Sequence, residues 1–325
     1  MILSVYVIYS PNNNDNIFLN KGINRILKDI YKTDYEFNYV SNFNHLDTIL
    51  FAENVDLIKT FIDKNNLINR KCVAITQEGF HETTEETYIK YNTNDLYIYC
   101  PYNGKFNLHS CYNYYGIPGG KVDISNKTKN NYNTDLIYFG NLWVENWYKK
   151  YSLYKKRAEI AINGKINGFI KQIYSRDFYS DNINNDDLSL INKINILQKD
   201  VIKNVNREEK LSIYKNHYYS LEFLPVNLNN FCSERPFDAI ISGTVPVFLG
   251  HESLKVIFPT DSIIYIDEFN NENDCFEYIK SLTYEDWLIR YNKCLNILHE
   301  LNIKKINGDS MILDLTKNIV YDLFN

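Results

Sequence analysis

The sequence predicts an α/β protein made of two halves, each built around a parallel sheet. Three observations predict it. Short apolar runs of strand length alternate with segments of helical periodicity along the chain. A polar stretch rich in Gly, Asn and Lys, residues 117–133, interrupts that alternation, which then restarts. The 325 residues, 45% hydrophobic and 23% charged, suffice for two domains of ordinary globular composition. The expected division is one α/β domain over 1–133 and a second over 134–325.

In the first half, 2–9 reads as a buried strand and 20–31 as a helix, with Ile23, Ile26, Leu27 and Ile30 at helical spacing. Alternating signals follow at 35–40, 45–51, 55–62 and 71–76. A polar helix-or-loop segment then precedes a strand at 95–100. The second half reads as strand 136–139, helix 145–162, strand 169–174, helix 188–201 and strand 217–223. Helix 234–242 and strand 244–249 come next. A strand at 262–266, helical segments at 274–282 and 284–301, and a terminal helix near 309–324 complete the chain.

The net charge is −5, with acidic and basic residues interleaved. That surface argues against a nucleic-acid partner, which needs a basic face, but a local cluster of cations suffices for one small anionic ligand. The six cysteines show no C-x-x-C or zinc spacing, so free thiols in a reducing compartment are expected. The N-terminal apolar run is too short to span a membrane and lacks a basic flank and a cleavage site. A soluble cytoplasmic protein without a membrane span is expected. The sequon Asn126-Lys127-Thr128 has no meaning in a chain that is not secreted.

The chemistry concentrates in FCSERPFDAIISGTVPVFLG, residues 231–250. Ser233 suits a helix N-cap, Pro236 a first turn and Gly243 a helix end. Pro246 marks either the beginning of the following strand or an unpaired backbone position. Glu234 and Arg235 then fall in the first helical turn, beside free N–H groups. Two readings stand there: Arg235 neutralises a diphosphate while Glu234 accepts ribose hydroxyls, or Glu234 complements the helix dipole and Arg235 is solvated.

Over residues 232–269, the run CSERPFDAIISGTVPVFLG-HESLKVIFPTDSIIYIDEF resembles the donor-binding region of the α-1,3-fucosyltransferases, glycosyltransferase family 10. The family pattern there is approximately Y-V-T-E-K, a helix, G-T-V-P-V, F-P-P-D-S-F and a strand ending V-D-D-F. The resemblance implies a GT-B fold, two Rossmann-like domains facing each other across a cleft, with GDP-fucose on the C-terminal domain and the acceptor on the N-terminal one. Carried over by position, Glu234 meets the nucleotide sugar, Arg235 replaces the motif's Lys near the diphosphate, and Phe231 is the motif's opening aromatic. RKCVAITQEGF, residues 70–80, resembles the family's strand and T-G-E-N, which makes Glu78 the implied catalytic base.

The resemblance also implies a donor-phosphate Arg after the 136–139 strand. Arg157 is the nearest candidate, with Lys149, Lys150, Lys155 and Lys156 as alternatives and an ordinary surface helix as the plain reading. One departure is clear: Leu224-Pro225 stands where the family's strand end F-x-L-A-F-E-N has Glu-Asn, which leaves the donor's sugar and base open. The membrane anchor of Golgi relatives and their C-terminal C-x-x-C are missing as well. Among weaker constellations, His81 with Glu82, Glu85 and Glu86 fits an exposed acidic face better than a metal site. Asp186-Asp187 fits a solvated loop. His251 fits a capping or core role, and Asp267 either a cleft floor or a cap.

The function implied is an inverting, metal-independent transfer of fucose from GDP-fucose to a glycan hydroxyl, with no cofactor and no metal. A nucleotide-sugar donor and a glycan or glycoconjugate acceptor are the expected partners. Two alternatives stand beside it: the same fold with a different UDP-, GDP- or dTDP-sugar, and a non-catalytic glycan- or nucleotide-binding protein.

Overall fold

The structure is a computed structural model that describes residues 2–8, 36–44, 46–52, 55–75, 88–91, 94–99, 124–142, 152–175, 188–202, 205–227, 233 and 235–303. The described residues form α/β units, one within Met1–Gly116 and the other spanning Ile117–Lys304. The polar segment read as a linker therefore belongs, over its described part, to the second unit.

The first unit holds β1 (Ile2–Val7), β2 (Glu36–Tyr39), β3 (Ile49–Ala52), β4 (Lys71–Ile75), β5 (Tyr88–Tyr91) and β6 (Asn94–Tyr99) in the order β2-β1-β3-β4-β6-β5. All pairs are parallel except β5 with β6. That antiparallel strand lies in the segment read as helix or loop. Its Tyr-Ile-Lys-Tyr alternation has the period of two that a strand needs. Helix α1 (Val55–Asn65) sets Ile58 and Ile62 one turn apart on its buried side, against Leu50 and Cys72. It ends on Asn66 at φ 51°, with Leu67 N–H bonded back to Ile62 O at 3.1 Å.

In the second unit β7 (Leu136–Phe139) and β8 (Ile170–Tyr174) flank α2 (Tyr154–Ile166) in sequence. Next come α3 (Leu188–Leu197), β9 (Val201–Ile202), α4 (Arg207–Tyr214), β10 (Tyr219–Phe223), α5 (Arg235–Ile241), β11 (Val245–Leu249), β12 (Ile264–Tyr265), α6 (Glu272–Ser281) and α7 (Tyr284–Ile303). The strands lie in the order β12-β11-β10-β7-β8-β9, all parallel. The chain starts at the centre, winds outward through β8 and β9, then crosses to β10 and winds the other way. That is the Rossmann order, with its switch point between β7 and β10. Every residue of β10 and β11 is buried, as in a parallel sheet covered on both faces, Ser220 and Glu222 of β10 included.

Local chemistry explains the boundaries. Gly243, at φ 81°, ends α5, with Thr244 N–H on Ala239 O and Gly243 N–H on Ile240 O, a Schellman closure. Pro246 is tolerated inside β11 because Val245 N–H already points to Tyr218 O of the β10 side. The next position faces the β12 side, where pairing begins only at Val247. At the sheet's amino end, Lys127 donates to Tyr214 O, His217 O and Thr244 Oγ1, beneath the Tyr218 and Trp287 rings. This pins residues 124–132 across the strand starts, and burial draws the Lys127 pKa down to about 7.

Candidate functional site

At the opposite, carboxyl end of this sheet the strands open into one pocket. Its wall is Phe139, Gly140 and Asn141 at the end of β7, Tyr174 and Ser175 at the end of β8, Ile202 and Val205 around β9, and Lys210 and Arg235 from α4 and α5. Ligands of open parallel sheets bind at this end because the loops there diverge. Phe139 and Tyr174 stack with ring centroids 4.4 Å apart and planes 13° apart, and Tyr214 meets Phe139 edge-on at 5.0 Å. Gly140 N–H donates to Tyr174 O at 2.9 Å, drawing the β7 loop across to β8. A Cβ at Gly140 would stand 2.4 Å from Tyr138 Oη and 2.8 Å from Arg157 Nη2, so any side chain there would displace the Tyr138–Arg157 pair.

The cations are held by specific partners. Lys210 Nζ lies 5.3 Å from the Tyr214 ring centroid and 5.9 Å from that of Phe139, and 3.4 Å from an Asp238 carboxylate oxygen. Asp238, its side chain only 3% exposed, also accepts from Arg207 at 2.8 Å. Arg235 donates from Nη1 to Phe139 O, and its backbone N–H reaches Ser233 Oγ at 3.3 Å. No acidic residue is among the described residues lining the pocket. Two cations beside an aromatic wall suit an anion joined to a planar ring. The helix bearing Arg235 has seven residues, shorter than the sequence predicts, so the positive charge here comes from side chains.

Beside these cations β10 carries a carboxyl. Glu222 is fully buried, and its Oε1 accepts from Tyr214 Oη and Ser220 Oγ, each at 2.7 Å. Its Oε2 has no hydrogen-bond partner among the described residues. Burial raises the Glu222 pKa to about 7, against the opposing pull of Lys210, the two hydroxyls and Arg235. Burial and the neighbouring Glu222 also hold the Tyr214 phenol well above its ordinary range.

Of the residues singled out in the sequence, Arg235 lines the pocket. Glu78, Phe231 and Glu234 lie outside the described residues, as do Lys149, Lys150, His81, the acidic residues after it and Asp186-Asp187. Arg157 does not line the pocket. Its guanidinium is 2% exposed, donates to Tyr138 Oη at 3.1 and 3.3 Å, and lies 5.0 Å from the Tyr154 ring centroid. It thereby supports the loop at Gly140. Lys156 and Asp267 pair with each other at 2.7 Å, both half-exposed. His251 caps the turn Glu252–Val256, its Nδ1 accepting from Ser253 N–H at 3.1 Å. Leu224 is fully buried with its N–H on Leu249 O, and Pro225 O accepts from Leu153 N–H.

Lys210 and Glu222 are absent from the sequence reading. Lys210 had a signal: Asn206 and Glu209 form a capping box that starts α4, each side chain bonded to the other's backbone N–H at 2.9 Å. Glu222 had none beyond a lone carboxylate in an apolar strand.

Comparison with known proteins bears on this pocket. The model of glycosyltransferase family 10 (fucosyltransferase), C-terminal region, matches residues 184–309, a span holding Ile202, Val205, Lys210 and Arg235. No curated protein matches the chain. Among solved structures, the chain is similar to an alpha1,3-fucosyltransferase at 15% identity, over 89% of this chain and 81% of that one, with a TM-score of 0.49. The crystal structure of an alpha1,3-fucosyltransferase with GDP-fucose gives 16% identity over the same shares and a TM-score of 0.44. A glycosyltransferase from Rickettsia africae ESF-5 gives 10% identity over 98% of both chains and a TM-score of 0.47. Residues 184–309 thus match the C-terminal region of glycosyltransferase family 10, the fucosyltransferases, and the chain is a glycosyltransferase.

Proposed function

We propose that the chain transfers fucose from GDP-fucose to a glycan hydroxyl with inversion at the sugar carbon. The observation that carries this reading is the pocket at the switch point, where Lys210 and Arg235 stand beside the Phe139–Tyr174 stack. In this reading the two cations take the diphosphate and stabilise the charge that develops on it as the sugar leaves, in the place a metal ion fills elsewhere. The aromatic wall takes the base. Phe231 and Glu234 flank Arg235 in sequence and complete the donor contacts. Glu78 serves as the base that accepts the proton of the attacking hydroxyl. Arg157 acts from behind, through Tyr138 and Gly140.

One observation favours a second donor. Leu224-Pro225 replaces the family's polar Glu-Asn, and Leu224 is packed against the Gly250 turn, with its Cδ1 where a Gly250 side chain would go. A different sugar or base on the same diphosphate fits that change. Thermal-shift and calorimetric titrations with GDP-fucose and a panel of GDP-, UDP- and dTDP-sugars decide between them. Stabilisation by GDP-fucose is expected; stabilisation by a UDP- or dTDP-sugar alone ends the fucose assignment.

A further inference from the structure

We propose that Glu222 is a positioning residue of the donor pocket: a buried counter-charge for Lys210 and Arg235 that takes up a proton from solvent when an anionic ligand engages those cations. The inference rests on the reading of the pocket as a nucleotide-diphosphate site. It stands first on geometry. A carboxyl with no solvent access sits on a wholly buried strand in the middle of the sheet, with one oxygen bonded twice and the other without a partner among the described residues. A buried carboxylate persists only where neighbouring charge holds it ionised.

The neighbours that supply that charge are also pocket residues. From α4, Tyr214 donates to Glu222 directly, and Lys210 lies over the Tyr214 ring. From the start of α5, Arg235 acts on both Glu222 and Tyr214. Asp238 of α5 adds its negative charge to those that raise the Tyr214 pKa, and is bonded to Lys210 and to Arg207 of α4. On β10 itself Ser220 donates to Glu222, and from β11 the residue opposite is the apolar Phe248. Lys210 and Arg235 are therefore the charges that keep Glu222 ionised, and they are the charges that a diphosphate takes.

The consequence has a sign. In the empty pocket Glu222 titrates at about 7. A bound diphosphate offsets the two cations, so the carboxyl binds its proton more tightly in the complex. Ligand binding above pH 7 then draws a proton onto Glu222. Affinity weakens as pH rises from about 7, by up to about tenfold per pH unit, the limit for one linked proton. Below pH 7 the group is already protonated and affinity levels off.

The test is calorimetric titration of the full chain with GDP-fucose and GDP-mannose, in buffers of different ionisation enthalpy between pH 6.5 and 8.5. Their diphosphates, esterified at both ends, carry no titrating proton in that range. The expected result is uptake of up to one proton near pH 7.5, absent in Glu222→Gln, whose affinity is flat with pH. Ser220→Ala removes a bond that favours the carboxylate, so its uptake peak moves to higher pH and serves if the Gln variant does not fold. Wild-type binding without proton uptake, or unchanged uptake in Glu222→Gln, overturns the role of Glu222 alone. Failure of both GDP-sugars and of UDP- and dTDP-sugars to bind the wild type overturns the pocket reading, and the proposal with it.

Discussion

Arg235 and Lys210 owe their place to different parts of the chain, yet both are expected to act on the same ligand. Each is expected to contribute about 1.5–3 kcal/mol to binding a diphosphate through a charge-assisted hydrogen bond. Arg235→Ala and Lys210→Ala should each weaken nucleotide-sugar binding by about ten- to a hundredfold, read by calorimetry. Glu222 makes a separate prediction about stability. Its folded pKa of about 7 lies above the ordinary 4.5, so between those values the folded chain binds more protons than the unfolded one. The stability it contributes is full below pH 4.5 and lost as pH rises through 7, about 3 kcal/mol in all. Urea denaturation across that range should show the loss in the wild type and its absence in Glu222→Gln. These residues were unequally legible. Arg235 sits in a run whose Ser, Pro and Gly announce its local geometry, and the first unit's Glu78 was named on the same kind of motif. Glu222 escapes because burial is a tertiary fact: nothing local distinguishes a carboxylate facing solvent from one enclosed by Tyr214 and Ser220.

At the level of elements, α4 decides whether the pocket has a second cation. The helix is eight residues long with a weakly amphipathic face, so its cap matters more than its periodicity. Asn206→Ala removes the acceptor for Glu209 N–H and should cost about 1 kcal/mol, measured as a shift in the urea midpoint with an unchanged slope. The same substitution should also lower nucleotide affinity, because α4 carries Lys210 to the Phe139 ring. Among the described residues, strands 136–139 and 169–174 and helices 274–282 and 284–301 were read from sequence to within a few residues, while the helix expected over 145–162 begins only at Tyr154. Short elements were missed. The two residues of β9 are too few to show alternation, and the capping box ahead of α4 outweighs its apolar pattern. Gly243 and Pro246 were legible as chemistry, and the pairing of β11 explains why the proline is allowed there.

For the whole molecule, the alternation of strands and helices foretold two α/β units, because only parallel sheets bury such runs on both faces. Strand order did not follow from it; the crossover from β9 to β10 is long-range and leaves no local mark. That crossover creates the switch point and so determines where a ligand is protected. Hydrogen exchange with a saturating nucleotide sugar should show slowing at the ends of β7 and β8, at α4 and at the start of α5, with the first unit's sheet unchanged; slowing at the amino ends near Lys127 instead would place the ligand elsewhere. The same topology closes the second sheet with β12 and β9, two residues each. Pro246 offers no N–H to a longer β12. A second copy of the chain aligned on the β12 edge therefore finds two residues of ladder to pair with, too few to hold it. The brevity of β12, a local consequence of the proline beside it, guards that edge of the sheet against growing from one molecule into the next.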